Sequence, residues 1–226
     1  EAKDSGYPIS EGVLTTGLEY IKDNLPILTM GGKDDQPSLR GGGGGGGYQA
    51  WQYNRFVFMM YVLARGEQLG AGQTNYIYEN RERLSLYAKA YLAQTLYLLD
   101  PQDKRIASIM SDLASASVLS ASGAHWQESF NDYWNWNTDT RTTAIVLNTF
   151  VQIVPTSPIT ANAVRWLMAH RQGGHWRSTQ ETAWTLIALT NWLVETKEFE
   201  TNYSYAVGLN GDSLEQGQAT KDNLTE

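Results

Sequence analysis

Two kinds of helical segment alternate along this sequence, and the alternation leaves few ways for the chain to fold. Segments of the first kind carry a single apolar stripe. Residues 10–25 place Leu14, Leu18, Ile21 and Leu25 at a four-three-four spacing, with Ser10 positioned to cap the helix and Pro26 to end it. Segments of the second kind are apolar all round. From Trp51 to Leu63, residues such as Tyr53, Phe56, Val57, Met60 and Leu63 cover every face, so this helix must be enclosed by protein. A short amphipathic piece near Asn75–Tyr78 precedes Leu84–Leu99, again apolar nearly all round. Asp100-Pro101 reads as a cap followed by a first-turn proline, opening a one-sided helix with Ile106, Ile109, Met110 and Leu113 on its stripe. Thr138 or Asp139 then starts a helix whose residues from Ala144 to Val151 wrap the cylinder. Ser157-Pro158 repeats the cap-proline device before a stripe of Ala163, Trp166, Leu167 and His170. Thr179–Val194, apolar on several faces, completes the series.

The simplest arrangement puts the enclosed helices in an inner ring and the striped ones outside, with short connections making neighbours antiparallel. The expected fold class is therefore all-α, an α/α toroid or an arc of one built from helical hairpins. An internal repeat supports it. Thr143-Ala-Ile-Val-Leu147 aligns with Thr182-Ala-Trp-Thr-Leu186, and each follows a His-Trp pair, His125-Trp126 and His175-Trp176. Beyond residue 200 the period changes. Tyr203, Tyr205, Val207 and Leu209 alternate with small or polar residues, and Asn210-Gly211 is a two-residue hairpin turn. The expected division is a helical domain over residues 1–200 and a β tail over 201–226 that leads into an adjacent β domain.

The chain is 42% hydrophobic and 18% charged, which suffices for a large core. Its net charge is −7 and no Lys/Arg cluster appears, which argues against nucleic acid or anionic lipid as a partner. No apolar run is long enough to span a membrane. With no cysteine, the stretch has no disulfide, thiolate nucleophile or Cys-ligated zinc. It opens without Met or a signal peptide, as though cut from a longer polypeptide. Seven consecutive glycines, Gly41–Gly47, lack the preceding apolar strand of a dinucleotide fingerprint and read as a flexible linker.

The most polar stretch is Gly173-Gly-His-Trp-Arg-Ser-Thr-Gln-Glu-Thr-Ala-Trp184. Ser178-Thr-Gln-Glu181 is a capping box, and Gly173-Gly174 suit a helix C-terminal stop after Arg171. A catalytic alternative exists. Glu128, Asp132, Asp139 and Glu181 sit near helix starts, and Trp126, Trp134, Trp136 and Trp176 have the shape to stack on sugars. An α/α-toroid carbohydrate-active enzyme would use acids such as Glu181 and Asp139, set about 5–9.5 Å apart. Other chemistries lack their signatures. There is no Gly-x-Ser-x-Gly elbow, and His125, His170 and His175 show no metal-ligand spacing. No catalytic, cofactor or metal residue is assigned from the sequence.

Several phrases, SGYPIS, ENRERLSLYAKAYLA, SGAHWQE, DYWNWNTDTRTTAIVLNTF and GGHWRSTQETAWTLIALTNWL, together resemble the bacterial alpha-2-macroglobulin family over most of residues 5–211. The resemblance implies a thioester-type α/α-toroid domain whose chain returns to a β domain. It further implies a large protein of the periplasm or cell envelope that inhibits proteases, entrapping the attacker after cleavage of a bait region. The implied partners are target proteases and neighbouring β domains, with no cofactor. The family's thioester signature, Cys-Gly-Glu-Gln, is absent from this stretch, so no reactive residue is carried over.

Overall fold

A computed structural model describes residues 6–25, 50–197 and 202–220. The glycine run lies outside the described residues. Among the described residues eight α-helices follow in order: α1 (Glu11–Asn24), α2 (Ala50–Arg65), α3 (Asn75–Glu79), α4 (Leu86–Leu99), α5 (Lys104–Ser115), α6 (Asp139–Ile153), α7 (Ile159–Ala169) and α8 (Thr179–Thr196). A short antiparallel hairpin, β1 (Val118–Ser120) with β2 (Gly123–His125), lies between α5 and α6. A longer one, β3 (Asn202–Leu209) with β4 (Asp212–Thr220), follows the helices.

The all-round apolar helices pack consecutively, α2 on α4, α4 on α6 and α6 on α8, while α5 lies on α4 and α7 on both α6 and α8. This is an arc of an α/α toroid, with even-numbered helices inside. Burial follows the sequence pattern. Every residue of α6 from Arg141 to Val151 is buried, and α4 buries Tyr87, Ala88 and all of Ala90–Leu96. The outer α5 buries only its stripe of Ile106, Ile109, Met110 and Leu113. Each consecutive inner pair is also joined by polar side chains. Asn54 Nδ2 donates to Ser85 Oγ at 2.7 Å, Gln94 Nε2 to Thr149 Oγ1 at 2.7 Å, and Asn191 Nδ2 to Asn148 Oδ1 at 2.7 Å. These side chains are tolerated on otherwise apolar helices because each finds a partner on or just before the neighbouring inner helix, and each such bond helps fix the register of its pair.

Several local expectations change. Helix α8 is not enclosed; only Glu181, Thr185 and Ala188 are fully buried, and Leu186 and Val194 are exposed. It ends the arc, so one long side has no inner neighbour among the described residues. Asp100 starts no helix. It ends α4 and takes the Gln102 N–H in a turn, and α5 starts later, with Asp103 accepting from Arg105 N at 2.9 Å. Ser10 flanks α1 without a side-chain cap bond, and Leu14 on that helix's stripe is exposed. Pro158 occupies the flanking position before α7 instead of its first turn, within the usual one-residue margin of helix ends. Gly173 and Gly174, at φ +56° and +100°, do not end α7, which stops at Ala169. They form the turn that lets Gln172 and His175 exchange backbone bonds of 2.8 and 3.2 Å.

The tail forms the expected hairpin, with every residue of β3 exposed. Asn210 and Gly211 both have positive φ, as a two-residue hairpin turn between right-twisted strands requires. The register shifts once, between Val207 and Gly208.

Candidate functional site

The conspicuous acids gather where the inner helices begin. Glu128 lies in the loop before α6, yet its carboxylate caps α4. Oε2 accepts from Leu86 N at 3.0 Å and Oε1 from Tyr87 N at 3.1 Å. Ser85, the residue flanking α4, makes no cap bond of its own, so a carboxylate from another loop takes the first-turn amides. Thr142 Oγ1, on α6, donates to the same Oε1 at 2.9 Å. One side chain thus fastens the starts of α4 and α6. Burial pushes the Glu128 carboxyl above the usual glutamate range, and the two amides and the threonine pull against that shift.

Asp132 is 2% exposed and does the corresponding work between α2 and α4. Its Oδ2 accepts from Asn54 Nδ2 at 2.8 Å and from the Tyr87 hydroxyl at 2.7 Å. Its own loop is tied in through Asn135, whose side-chain amide reaches Asp132 and the carbonyl of Trp51 at 2.9 Å. Burial raises the Tyr87 hydroxyl far above the usual tyrosine value, and the bond to Asp132 adds to the shift.

Asp139 is brought beside Glu128, but through the main chain: its Oδ1 accepts from Glu128 N at 3.0 Å. Thr138, the residue before it, caps α6 by accepting from Arg141 N. Glu181 stands apart in the first turn of α8. There the Ser178 half of the expected capping box forms, with Ser178 Oγ accepting from Glu181 N at 3.1 Å. Each of the other three carboxylates therefore holds donors from neighbouring elements, and Glu181 is buried within a helix start.

The four tryptophans separate into two pairs. Trp126 and Trp176 are buried, 0% and 3% exposed, and present no face to a sugar. They are the same device in successive repeats. Trp126 N donates to Thr143 Oγ1 and Trp176 N to Thr182 Oγ1, both at 3.1 Å. Each indole N–H then reaches back to the preceding outer helix, to Leu113 O at 2.6 Å and to Leu167 O at 2.8 Å. Trp134 and Trp136 are exposed, at 75% and 79%. Of the histidines, His125 and His170 both stack on Trp166, with ring centroids 4.7 and 3.7 Å away. His175 Nδ1 lies 2.8 Å from Trp176 O. Among the described residues no group of three His, Asp or Glu side chains is placed to hold a metal ion.

Sequence reasoning missed Asn54, Tyr87 and Arg141. Asn54 carried a signal, being an amide inside a helix apolar on all sides. Tyr87 and Arg141 read as ordinary helix residues, because their roles depend on a loop more than 40 residues away in the one case and on two rings in the other.

Comparison with known proteins agrees with this architecture. Solved structures of similar shape include Salmonella alpha-2-macroglobulin reacted with methylamine, with a TM-score of 0.60 and 18% identity. Trypsin-activated alpha-2-macroglobulin from Escherichia coli gives 0.59 and 15%. The native Escherichia coli protein from domain MG7 to the C-terminus gives 0.58 and 14%. Each match covers 99% of this chain, but only 14%, 14% and 33% of those chains respectively. At such identities the likeness establishes the fold. No curated protein matches the sequence. The family described as "A-macroglobulin TED domain" matches residues 64–192, more than half of the chain, and to that family the chain belongs.

Proposed function

We propose that this chain is a non-enzymatic scaffold within a larger bacterial protease inhibitor, one that entraps its target after the target cuts a bait segment. The observation that carries the reading is family membership together with the state of the acids. Carboxylates that would have to do chemistry are instead engaged as acceptors for helix amides, hydroxyls and side-chain amides at the starts of the inner helices. Residues 1–200 form the helical domain in this reading, and 201–226 enter an adjacent β domain of the same parent. The parent works outside the cytoplasm, where foreign proteases are met. This stretch has no cysteine and so contributes no thioester sulfur of its own.

The test uses the parent protein with trypsin-like and elastase-like proteases. After bait cleavage, the protease should keep its activity toward a short chromogenic peptide and lose most of its activity toward a large protein substrate. Equal activity toward both substrates would contradict the proposal.

A further inference from the structure

The molecule is acidic overall, yet one hollow on it is lined by two arginines and no carboxylate. The hollow, about 400 Å³, lies beside the starts of α2, α4 and α6, and its walls include Trp51 and Arg55 of α2, Tyr87 of α4, Arg141 of α6 and Trp134 of the intervening loop. Its size falls within the range of small-molecule sites.

Arg141 is the unusual member. It is only 7% exposed, and although Nη1 donates to Asn137 Oδ1 at 3.0 Å, Nε is buried and meets no acceptor. Arg81, Lys89 and Arg105 form ion pairs, whereas none joins Arg141 to a carboxylate among the described residues. Its charge instead faces the rings of Tyr87 and Trp184, at 5.1 and 5.9 Å. A buried guanidinium without a counter-ion is costly, and ring faces offset only part of that cost. Asp132, whose oxygens are held by Asn54, Tyr87 and Asn135, makes no ion pair with Arg141. The same hollow supplies a second element of recognition: Trp51 and Trp134 stack with centroids 5.5 Å apart and planes 26° apart.

We propose that this hollow binds an organic carboxylate, its anionic head paired with Arg141 and its flat or ring-shaped body laid against the Trp51–Trp134 wall. Guanidinium and carboxylate match in fork geometry, which a point charge such as an ammonium does not. The exposed Arg55 adds a second positive charge at the mouth. The site is independent of protease capture.

The test titrates the full 226-residue chain with benzoate, with benzamide as the uncharged isostere and with inorganic phosphate as a charge lacking a flat body. Binding is followed by tryptophan fluorescence and calorimetry. Benzoate should bind about tenfold or more tightly than either control. Arg141→Met should remove that advantage while leaving benzamide unchanged. Trp134→Ala should weaken benzoate and benzamide alike, and Arg55→Ala should weaken benzoate alone. Because Arg141 is buried and its replacement can fail to fold, the two variants at exposed positions decide the matter by themselves. Equal affinity for benzoate and benzamide, no binding of benzoate at all, or benzoate binding unaffected by both Trp134→Ala and Arg55→Ala would overturn the proposal.

Discussion

At the scale of single residues, the repeat is held by a tryptophan that works with both its backbone and its ring. Trp126 and Trp176 each bond a threonine on the following inner helix and a carbonyl on the preceding outer helix. The alignment of the two Thr-Ala-containing phrases was visible in the sequence, and so was the His-Trp pair before each. Their burial was not, because exposure of a loop tryptophan depends on which helices flank the loop. Replacing Trp126 by Phe keeps most of the packed area but leaves Leu113 O buried without its donor. That should cost about 1–3 kcal/mol, read as a fall in thermal midpoint of roughly 2–12 °C for a domain of this size. An unchanged midpoint would mean that the indole bond contributes nothing.

At the scale of elements, helix starts were legible where the cap is local and illegible where it is not. Thr138 and Ser178 bond the amide three residues on, as their sequence spacing predicts. The start of α4 has no such signature, since its cap is a glutamate 42 residues downstream. The start of α5 was displaced because the turn at Asp100-Pro101 resembles a cap, whereas Asp103 and Arg105 form the actual one. Arg105 holds the Asp103 carboxyl below the usual aspartate range. A carboxyl so lowered stabilises the fold above the ordinary aspartate value, and the contribution is lost as pH falls through the lowered one. Asp103→Asn should therefore lower stability at neutral pH, change little well below the lowered carboxyl value, and so flatten the acid limb of a stability-versus-pH curve; an unaltered acid limb would contradict the assignment. The β1–β2 hairpin has a stricter requirement. Gly123 sits at φ +127° with its Cα facing Asn162 O and Trp166 on α7, so a methyl group there has neither the backbone geometry nor the space. Gly123→Ala should destabilise by about 3 kcal/mol or more, detectable as a lowered denaturant midpoint; a loss under 1 kcal/mol would show that the hairpin moves freely on α7.

At the scale of the whole molecule, the alternation of all-round and one-sided helices was enough to place α2, α4 and α6 inside and α5 and α7 outside, because a fully apolar cylinder has no stable position except between others. It was not enough to place α8, whose apolar composition matches an enclosed helix while its burial does not. Local pattern reports what a helix can tolerate on each face, and the neighbours that cover those faces are set by how far the arc continues. The network at the helix starts was legible in part. The acids were singled out, but the donors that engage them come from distant segments. These acids are architecture, and Asp132 is the sharpest probe of that role, being almost wholly buried with donors from three segments. The decisive measurement is the thermal midpoint of Asp132→Asn. Catalytic acids are held under strain, and removing one commonly leaves a protein as stable or more so. A structural acceptor behaves in the opposite way, since the new amide turns a donor toward Asn54, Tyr87 or Asn135. The account predicts a loss of about 2–4 kcal/mol, a fall of roughly 4–16 °C. A midpoint that holds or rises would contradict it.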